Sequence, residues 1–445
     1  MQRFGQKLLN LLVFVAILFF TSFCFAQENE SEIILTATNA VQFAIQGNLG
    51  LKQSDIDLQS AARSKKYSWN SVSPTLNASA SFGTDLENDP SFTFGASASI
   101  ALSPSIYTSI RSAAINYEQQ KLTYDEAVRS VELNVLTAYY QILYEQENIN
   151  LKKNSVESAK KQYETNLARY NRGALSRLDV LSAQVSYQNA ELSLKVSQST
   201  WDNDAASFKQ MLGLPQDAKI RLSGSLSDVF ALSEIPDLTS DDENPTLKSL
   251  ELQIEAAKNA LLATRFSAWG PSLSASYSYN FNVTSENGVK PVYDKGRLSL
   301  GLSIPLDGYL PWSNGAQSIQ NQKDTLNKLE LELQNTKTTL DVTVKNYLNQ
   351  IKQSQETIKL RQNSIDLAQQ TYDMTLDAYN HGTRDIISLQ NASDSLVEAK
   401  VNLMSEAYTL VTAVLKLENT LGLEFGTLFS IDSSDSNDGK NDSKK

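Results

Sequence analysis

Tyr170-Asn171-Arg172-Gly173 and Tyr379-Asn380-His381-Gly382 are two versions of one motif, set 209 residues apart. The same offset carries Tyr163 onto Tyr372, Leu167 onto Leu376, and Leu212-Gly213-Leu214 onto Leu421-Gly422-Leu423. It also carries Val135, Gln141 and Ile142 onto Val344, Gln350 and Ile351. A constant offset over that span means helices of equal length in both copies. Upstream it shrinks: Pro74-Thr75-Leu76 matches Pro271-Ser272-Leu273 at 197, and Ser99-Ile100 matches Ser303-Ile304 at 204. The second copy thus carries about seven extra residues between two strand-like runs and about five more after them, and such changes collect in loops. The chain is a duplication of one long unit, not a short-period solenoid.

From Tyr107 to Asn171, and again from Ala316 to Asn380, proline is absent and helix formers dominate. Apolar residues fall at Val131, Val135, Ala138 and Ile142, and at Leu340, Val344, Tyr347 and Ile351, a helical seam. Such a helix, about 65 residues at 1.5 Å each, is roughly 100 Å long, beyond any compact domain. Each runs to its glycine and reverses into a shorter helix, about Ser176 to Met211 and Asp385 to Thr420. The missing length is expected from helices ahead of the strands, near 36–71 and 244–269, stacked end to end with the returning ones. Hairpins over about 105–212 and 314–421 follow. The seams are rich in Ala, Ser, Asn and Gln, which suits a wall wetted on two faces.

Strict alternation marks the strands. Leu76, Ala78, Ala80 and Phe82 alternate with Asn77, Ser79 and Ser81; Phe92, Phe94, Ala96, Ala98, Ile100 and Leu102 follow the turn signal Asn88-Asp89-Pro90. The second copy has Leu273, Ala275, Tyr277, Tyr279, Phe281 and Val283, then Leu298, Leu300, Leu302 and Ile304. The expected strands are about 74–84, 92–103, 271–284 and 295–306. Period two with Ser or Asn on the other face fits a strand with lipid outside and water inside; a half-buried hairpin of a soluble domain is the alternative.

Arg3 and Lys7 precede an apolar run from Leu8 to Phe20 and then Cys24-Phe25-Ala26, the pattern of a secretory signal peptide cut after Ala26. The run is shorter than the ~20 residues of a membrane-spanning helix. Cys24 is the only cysteine; Phe23 fits poorly before a lipidated cysteine, so the mature chain from residue 27 has no thiol chemistry. The formal charge of −11, with no basic cluster, argues against nucleic acid. The expected organisation is a first repeat over 27–223, a linker over 224–243, a second repeat over 244–430 and a disordered polar tail over 431–445.

Four strands cannot close a barrel, because the smallest membrane barrels use about eight. An open sheet edge in lipid costs several kcal/mol per unpaired group, so strands must be pooled among symmetric copies. Two copies would give eight strands and three would give twelve.

With these features in place, the chain resembles the TolC-like outer-membrane efflux proteins, from about Leu35 to Phe429. The carrying residues are Asn48-Leu49-Gly50-Leu51-Lys52 and Asn244-Pro245-Thr246-Leu247-Lys248, Pro74 and Pro271, and the tips Tyr170 to Leu181 and Tyr379 to Arg384. The resemblance implies an α-helical barrel joined to a β-barrel, a homotrimer with twelve strands and twelve helices. It implies residence in outer-membrane lipid of a diderm bacterium, with the helices in the periplasm. The implied role is a passive export duct for efflux or type I secretion, with a periplasmic adaptor and an inner-membrane pump as partners.

The resemblance also implies a gate at the periplasmic tips, in which Asp179 meets Arg384 and Tyr379. Asp385 could supply a ring of carboxylates or cap a helix. Positions where relatives place further aspartates hold Ser388 and Asn391, which puts cation selectivity in doubt. Gly173, Ala174, Leu175, Gly382 and Thr383 are the expected adaptor-contact tips. A triad of His381, Ser388 and Asp385 lacks the geometry for catalysis, so no enzyme and no cofactor are expected. One histidine and no mature cysteine exclude the usual zinc sites, no loop has the EF-hand spacing, and no phosphate-binding loop is present. A trimeric coiled-coil adhesin with a barrel anchor is the rival; it would place its strands once, at one terminus.

Overall fold

The structure, a computed structural model, describes residues 33–83, 91–226, 244–284, 290–293 and 296–430. The expected signal peptide, Cys24, most of the 224–243 linker and the tail lie outside the described residues.

In the first copy β1 (Ile33–Leu35) leads into α1 (Ala37–Gly47) and α2 (Leu49–Lys66), then a 3-10 turn (Ser68–Val72). The strands β2 (Thr75–Gly83) and β3 (Ser91–Leu102) follow, then α3 (Ser105–Asn171), α4 (Arg177–Leu212) and β4 (Ile220–Leu222). The second copy runs α5 (Pro245–Trp269), β5 (Ser272–Thr284), β6 (Lys290–Tyr293), β7 (Arg297–Ser303), α6 (Asn314–Asn380) and α7 (Ile386–Leu421). A short α8 (Thr427–Ser430) ends the described chain.

Both long helices are 67 residues and both returning helices 36. The single helix expected over 36–71 is instead broken at Asn48, whose side-chain oxygen accepts from the Gly50 and Leu51 amides and starts a new helix. Asn244 opens α5 in the same way, accepting from the Thr246 amide. The cap wins because an Asx side chain satisfies free N–H groups that an uncapped helix start would leave open. α2 and α5 lie along the strand-proximal half of the rods. Lys65 reaches Glu118 at 3.2 Å, Arg111 reaches Glu255 at 3.1 Å, and Asn259 donates to the Thr108 carbonyl at 2.8 Å.

The core sits at mid-length, where both copies meet. Leu35, Val135, Ile142, Phe208, Val344, Ile351 and Leu410 are all buried there, beside the parallel pair β1–β4. Arg129 ties this belt to the chain end by donating to the carbonyls of Glu418, Gly422 and Leu423. The buried Glu418 carboxylate accepts from the Gly426 and Leu428 amides; burial still pushes its pKa up, while those amides and Arg129 oppose the shift.

The sheet is antiparallel in the order β2-β3-β5, with β6 and β7 side by side along the far edge of β5. Its register places most apolar residues on one face, with Ala101 and Val292 on the other: Ala98 lies between Leu76 and Tyr277, Phe94 between Ala80 and Phe281, and Leu273 between Leu102 and Leu302. Asn77, Ser97 and Ser278 share the other face, as do Ser99, Ser276 and Ser299. The polar face is crowded at Gly95, where a Cβ would lie 2.7 Å from Ser79 Oγ and 2.9 Å from Asn280 Oδ1.

The strand expected over 295–306 is β7, and a further short strand that the sequence reading did not place, β6, precedes it on the same edge of β5. Phe281 pairs Tyr293 while Ser278 pairs Arg297, so the two registers on β5 differ by one residue. Ile304 falls past the strand end. Exposed Trp69, Tyr107, Tyr309 and Trp312 gather at the helix-facing ends of the strands, the place of an aromatic belt at a membrane surface. Among the described residues no helix is long and apolar enough to cross a membrane.

The face assignment is directly testable. Ala96→Arg, mid-strand on the apolar face, should cost about 2–4 kcal/mol and deplete assembled protein in the outer membrane. Ser97→Arg, on the polar face, should assemble normally. Heat-modifiable mobility in gel electrophoresis reads both.

Candidate functional site at the hairpin tips

At the end opposite the strands, each long helix stops by the same local chemistry. Gly173 and Gly382 both take φ +75°, the left-handed conformation that costs glycine no Cβ clash. The Gly173 amide bonds the Tyr170 carbonyl and the Ala174 amide bonds the Arg169 carbonyl, at 2.8 and 2.9 Å. Gly382 and Thr383 repeat this on Tyr379 and Ala378, at 3.0 and 2.9 Å. These are Schellman turns, which satisfy the last carbonyls and turn the chain sharply. Nothing lies within 4 Å of a Cβ placed on either glycine. Ala174, Gly382 and Thr383 are exposed, and Leu175 is half-buried.

The returning helices start with a swapped pair of caps. In α4, Ser176 Oγ accepts from the Asp179 amide at 3.2 Å and lies 2.6 Å from Asp179 Oδ2. In α7 the order is reversed: Asp385 accepts from the Ser388 amide at 2.9 Å. The Ser388 hydroxyl and amide hold the Asp385 pKa below the usual carboxylate value, with a smaller contribution from Arg384. Ser388 is therefore the other half of a capping pair.

Within the chain the three expected gate residues are not brought together. Asp179 is engaged with Ser176 at its own helix start, and Arg384 is exposed. Tyr379, only 6% exposed, points its hydroxyl at Asn166 Oδ1 on the other hairpin, 2.7 Å away. Gln162 donates to the same oxygen at 3.1 Å, and Arg169 lies 5.9 Å over the Tyr379 ring, within cation–π reach. Arg169 also donates to Asn380 Oδ1 at 3.4 Å. Asp385 caps α7. His381 Nδ1 faces the Asp377 carbonyl oxygen at 2.9 Å, while Asp385 and Ser388 bind each other, so no triad forms.

The tie between the hairpins thus runs through residues that sequence reasoning missed: Asn166 and Gln162 on α3, and Gln390 on α7, which donates to Ser186 Oγ on α4. A buried amide gives no periodic signal; the one available hint was Gln162 and Asn166 four apart on a helix. Between the hairpins lies a cavity of about 440 Å³, lined by Lys152, Gln162, Ala190, Tyr372, Leu389 and Val401, among others.

The model of the outer membrane efflux protein family matches residues 40–214 and 240–423, nearly all of both copies. The chain belongs to that family. Like other members it is an outer-membrane protein, with the helical part reaching away from the membrane. It is similar to the outer membrane protein TolC of Escherichia coli (strain K12), 23% identical over 346 residues, covering 73% of this chain and 69% of TolC. It is also similar to the alkaline protease secretion protein AprF of Pseudomonas aeruginosa, 25% identical, covering 68% of this chain and 64% of AprF. Among solved structures, the channel CusC shares the fold with a TM-score of 0.72 at 15% identity, covering 87% of this chain and 92% of that one.

For this family member, Tyr379→Phe should remove the tie to Asn166 and leave its buried amide with Gln162 as sole partner. The expected loss is about 1 kcal/mol, read as faster proteolysis at the tips with the mid-length core unchanged.

Proposed function

We propose that this chain is the exit duct of a tripartite efflux or type I secretion system: a homotrimer docked by a periplasmic adaptor at its hairpin tips and driven by an inner-membrane pump. The observation that carries this reading is the two-faced sheet of five strand segments in four rows, β6 and β7 sharing the last row, with neither outer row paired further among the described residues. Three copies supply twelve strands, and the polar face then lines a water-filled bore. Exposed apolar residues at heptad spacing support the same closure in the helices: Leu178, Val185 and Leu192 on α4, and Leu360, Leu367 and Met374 on α6. Each seam lacks a partner in one chain, and α4 of one copy against α6 of the next covers both.

A surface adhesin would set its strands at one terminus. Here the strands interrupt both copies and all helical hairpins hang from one end of the sheet, which suits a tunnel. The expected gate of Asp179, Tyr379, Arg384 and Asp385 is proposed as an element of the assembled trimer. Arg384 is the exposed cation of the set, free to meet an Asp179 carboxylate across a subunit boundary.

Purified protein in a planar bilayer should conduct as a trimer, and a stable folded monomer would overturn the pooled barrel. Arg384→Ser should raise the conductance of the closed state, with trimers intact; conductance equal to wild type would remove Arg384 from the gate. Gly173→Trp and Gly382→Trp should abolish export while trimers still reach the outer membrane, because a bulky side chain at an open tip blocks a close-docking partner. Undiminished export from both would argue against tip docking.

A further inference from the structure

One buried ionisable group plays no part in the tips or the barrel. Glu145 on α3 is 6% exposed, and its Oε1 accepts from Gln141 Nε2 at 2.8 Å. Its Oε2 is buried with no hydrogen-bond partner, and the group that acts on Glu145 from across the hairpin is the carboxyl of Asp204 on α4. Two carboxyl groups bond only when one of them carries a proton. The neighbouring turn is equally dry: Asn148 Oδ1 and Trp201 Nε1 are buried without partners.

The groups that face Glu145 include no cation. From α4 comes Asp204; from α3 come Gln141 and Tyr144; from α7 comes Tyr408, whose ring stacks on Tyr144 at 6.1 Å. The helix α1, packed on α3, has no ionisable side chain. At the matched positions of the second copy stand Ser354 and Ala413, 3% and 1% exposed. The rod architecture therefore does not require the acid pair.

Its position gives it leverage. Ile142, Leu143 and Phe208 on one side belong to the mid-length core, while the lining of the cavity between the hairpins begins at Lys152 and Val401 on the other. Glu145 sits where packed core gives way to that void.

We propose that Glu145 and Asp204 form a proton-operated clasp at the root of the first hairpin. With one proton between them, α3 and α4 are joined. When that proton leaves to water, a buried carboxylate on α3 faces the half-buried carboxylate of Asp204 on α4 and the helices part locally. Burial first, and the Asp204 carboxyl second, push Glu145 from 4.5 up to about 7. The folded chain then holds a proton that the unfolded chain has already released, so this stabilisation is complete below about 4.5 and is lost as pH rises through about 7.

The test is amide hydrogen exchange, read by mass spectrometry, on the full-length assembled protein in lipid discs, at a pH well below and a pH well above neutrality. Labelling times are scaled for the intrinsic exchange rate. Peptides over 142–152 and 197–207 should exchange about tenfold faster on the alkaline side, and the matched peptides over 351–361 and 406–416 should not change. Glu145→Gln, neutral at every pH, should hold the first hairpin at its low-pH rate throughout. Asp204→Asn provides the same test should Glu145→Gln fail to assemble. Wild-type exchange independent of pH, an equal response in the second hairpin, or a response that persists in the assembled variant would each overturn the clasp.

Discussion

Among the described residues no strand pairs with the outer edge of β2 or of β7, and in a bilayer an unpaired backbone group costs several kcal/mol. One apolar face from Leu76 to Leu302 makes the bilayer the place where that sheet belongs. The two facts together force closure by other copies, and closure fixes much of the rest. The strands must end at one level, marked by Tyr107, Tyr309 and Trp312. Both helical copies must leave on the same side, and the polar face must turn inward, where Gly95 relieves the crowding.

The rods below the sheet solve a different problem. A helix of 67 residues has no stable existence as a lone element in water, and most helix stability comes from packing an apolar face. Each rod is therefore clad over half its length by the returning helix and over the other half by α2 or α5. One dense core at mid-length joins the two copies. Towards the tips, packing thins to paired polar contacts such as Tyr379–Asn166 and Gln390–Ser186, with a cavity between. The apolar cluster left near the second tip is small, Tyr379, Ile386 and Leu389, against the many side chains of the mid-length core.

Duplication gave the two copies one backbone, and the side chains have since diverged where function could differ. The caps Ser176–Asp179 and Asp385–Ser388 exchange roles while preserving the same helix start. The pair Glu145–Asp204 faces Ser354–Ala413 at the matched positions. Backbone equivalence with side-chain divergence leaves the two hairpins alike in path and different in chemistry.

Most of the architecture was legible in the residues. Period two fixed the strand faces, the 209-residue offset fixed the duplication and the paired 67-residue rods, and Gly173 and Gly382 fixed the turns. These features are local, written in backbone propensity and in the spacing of apolar side chains. The break at Asn48 was readable only as a cap, and the one-residue difference in register between β6 and β7 was not readable, because it leaves the alternation on either side intact. The tip chemistry was the least legible. Tyr379, expected at an aperture, is buried against Asn166, and the clasp pairs Glu145 with a residue 59 positions away. Sequence by itself determined what each segment becomes and that copies must share a barrel. Only the tertiary structure decided which polar side chains meet, because that depends on how two rods are rotated about their own axes, and a rotation of a few tens of degrees changes every partner while leaving the apolar period the same.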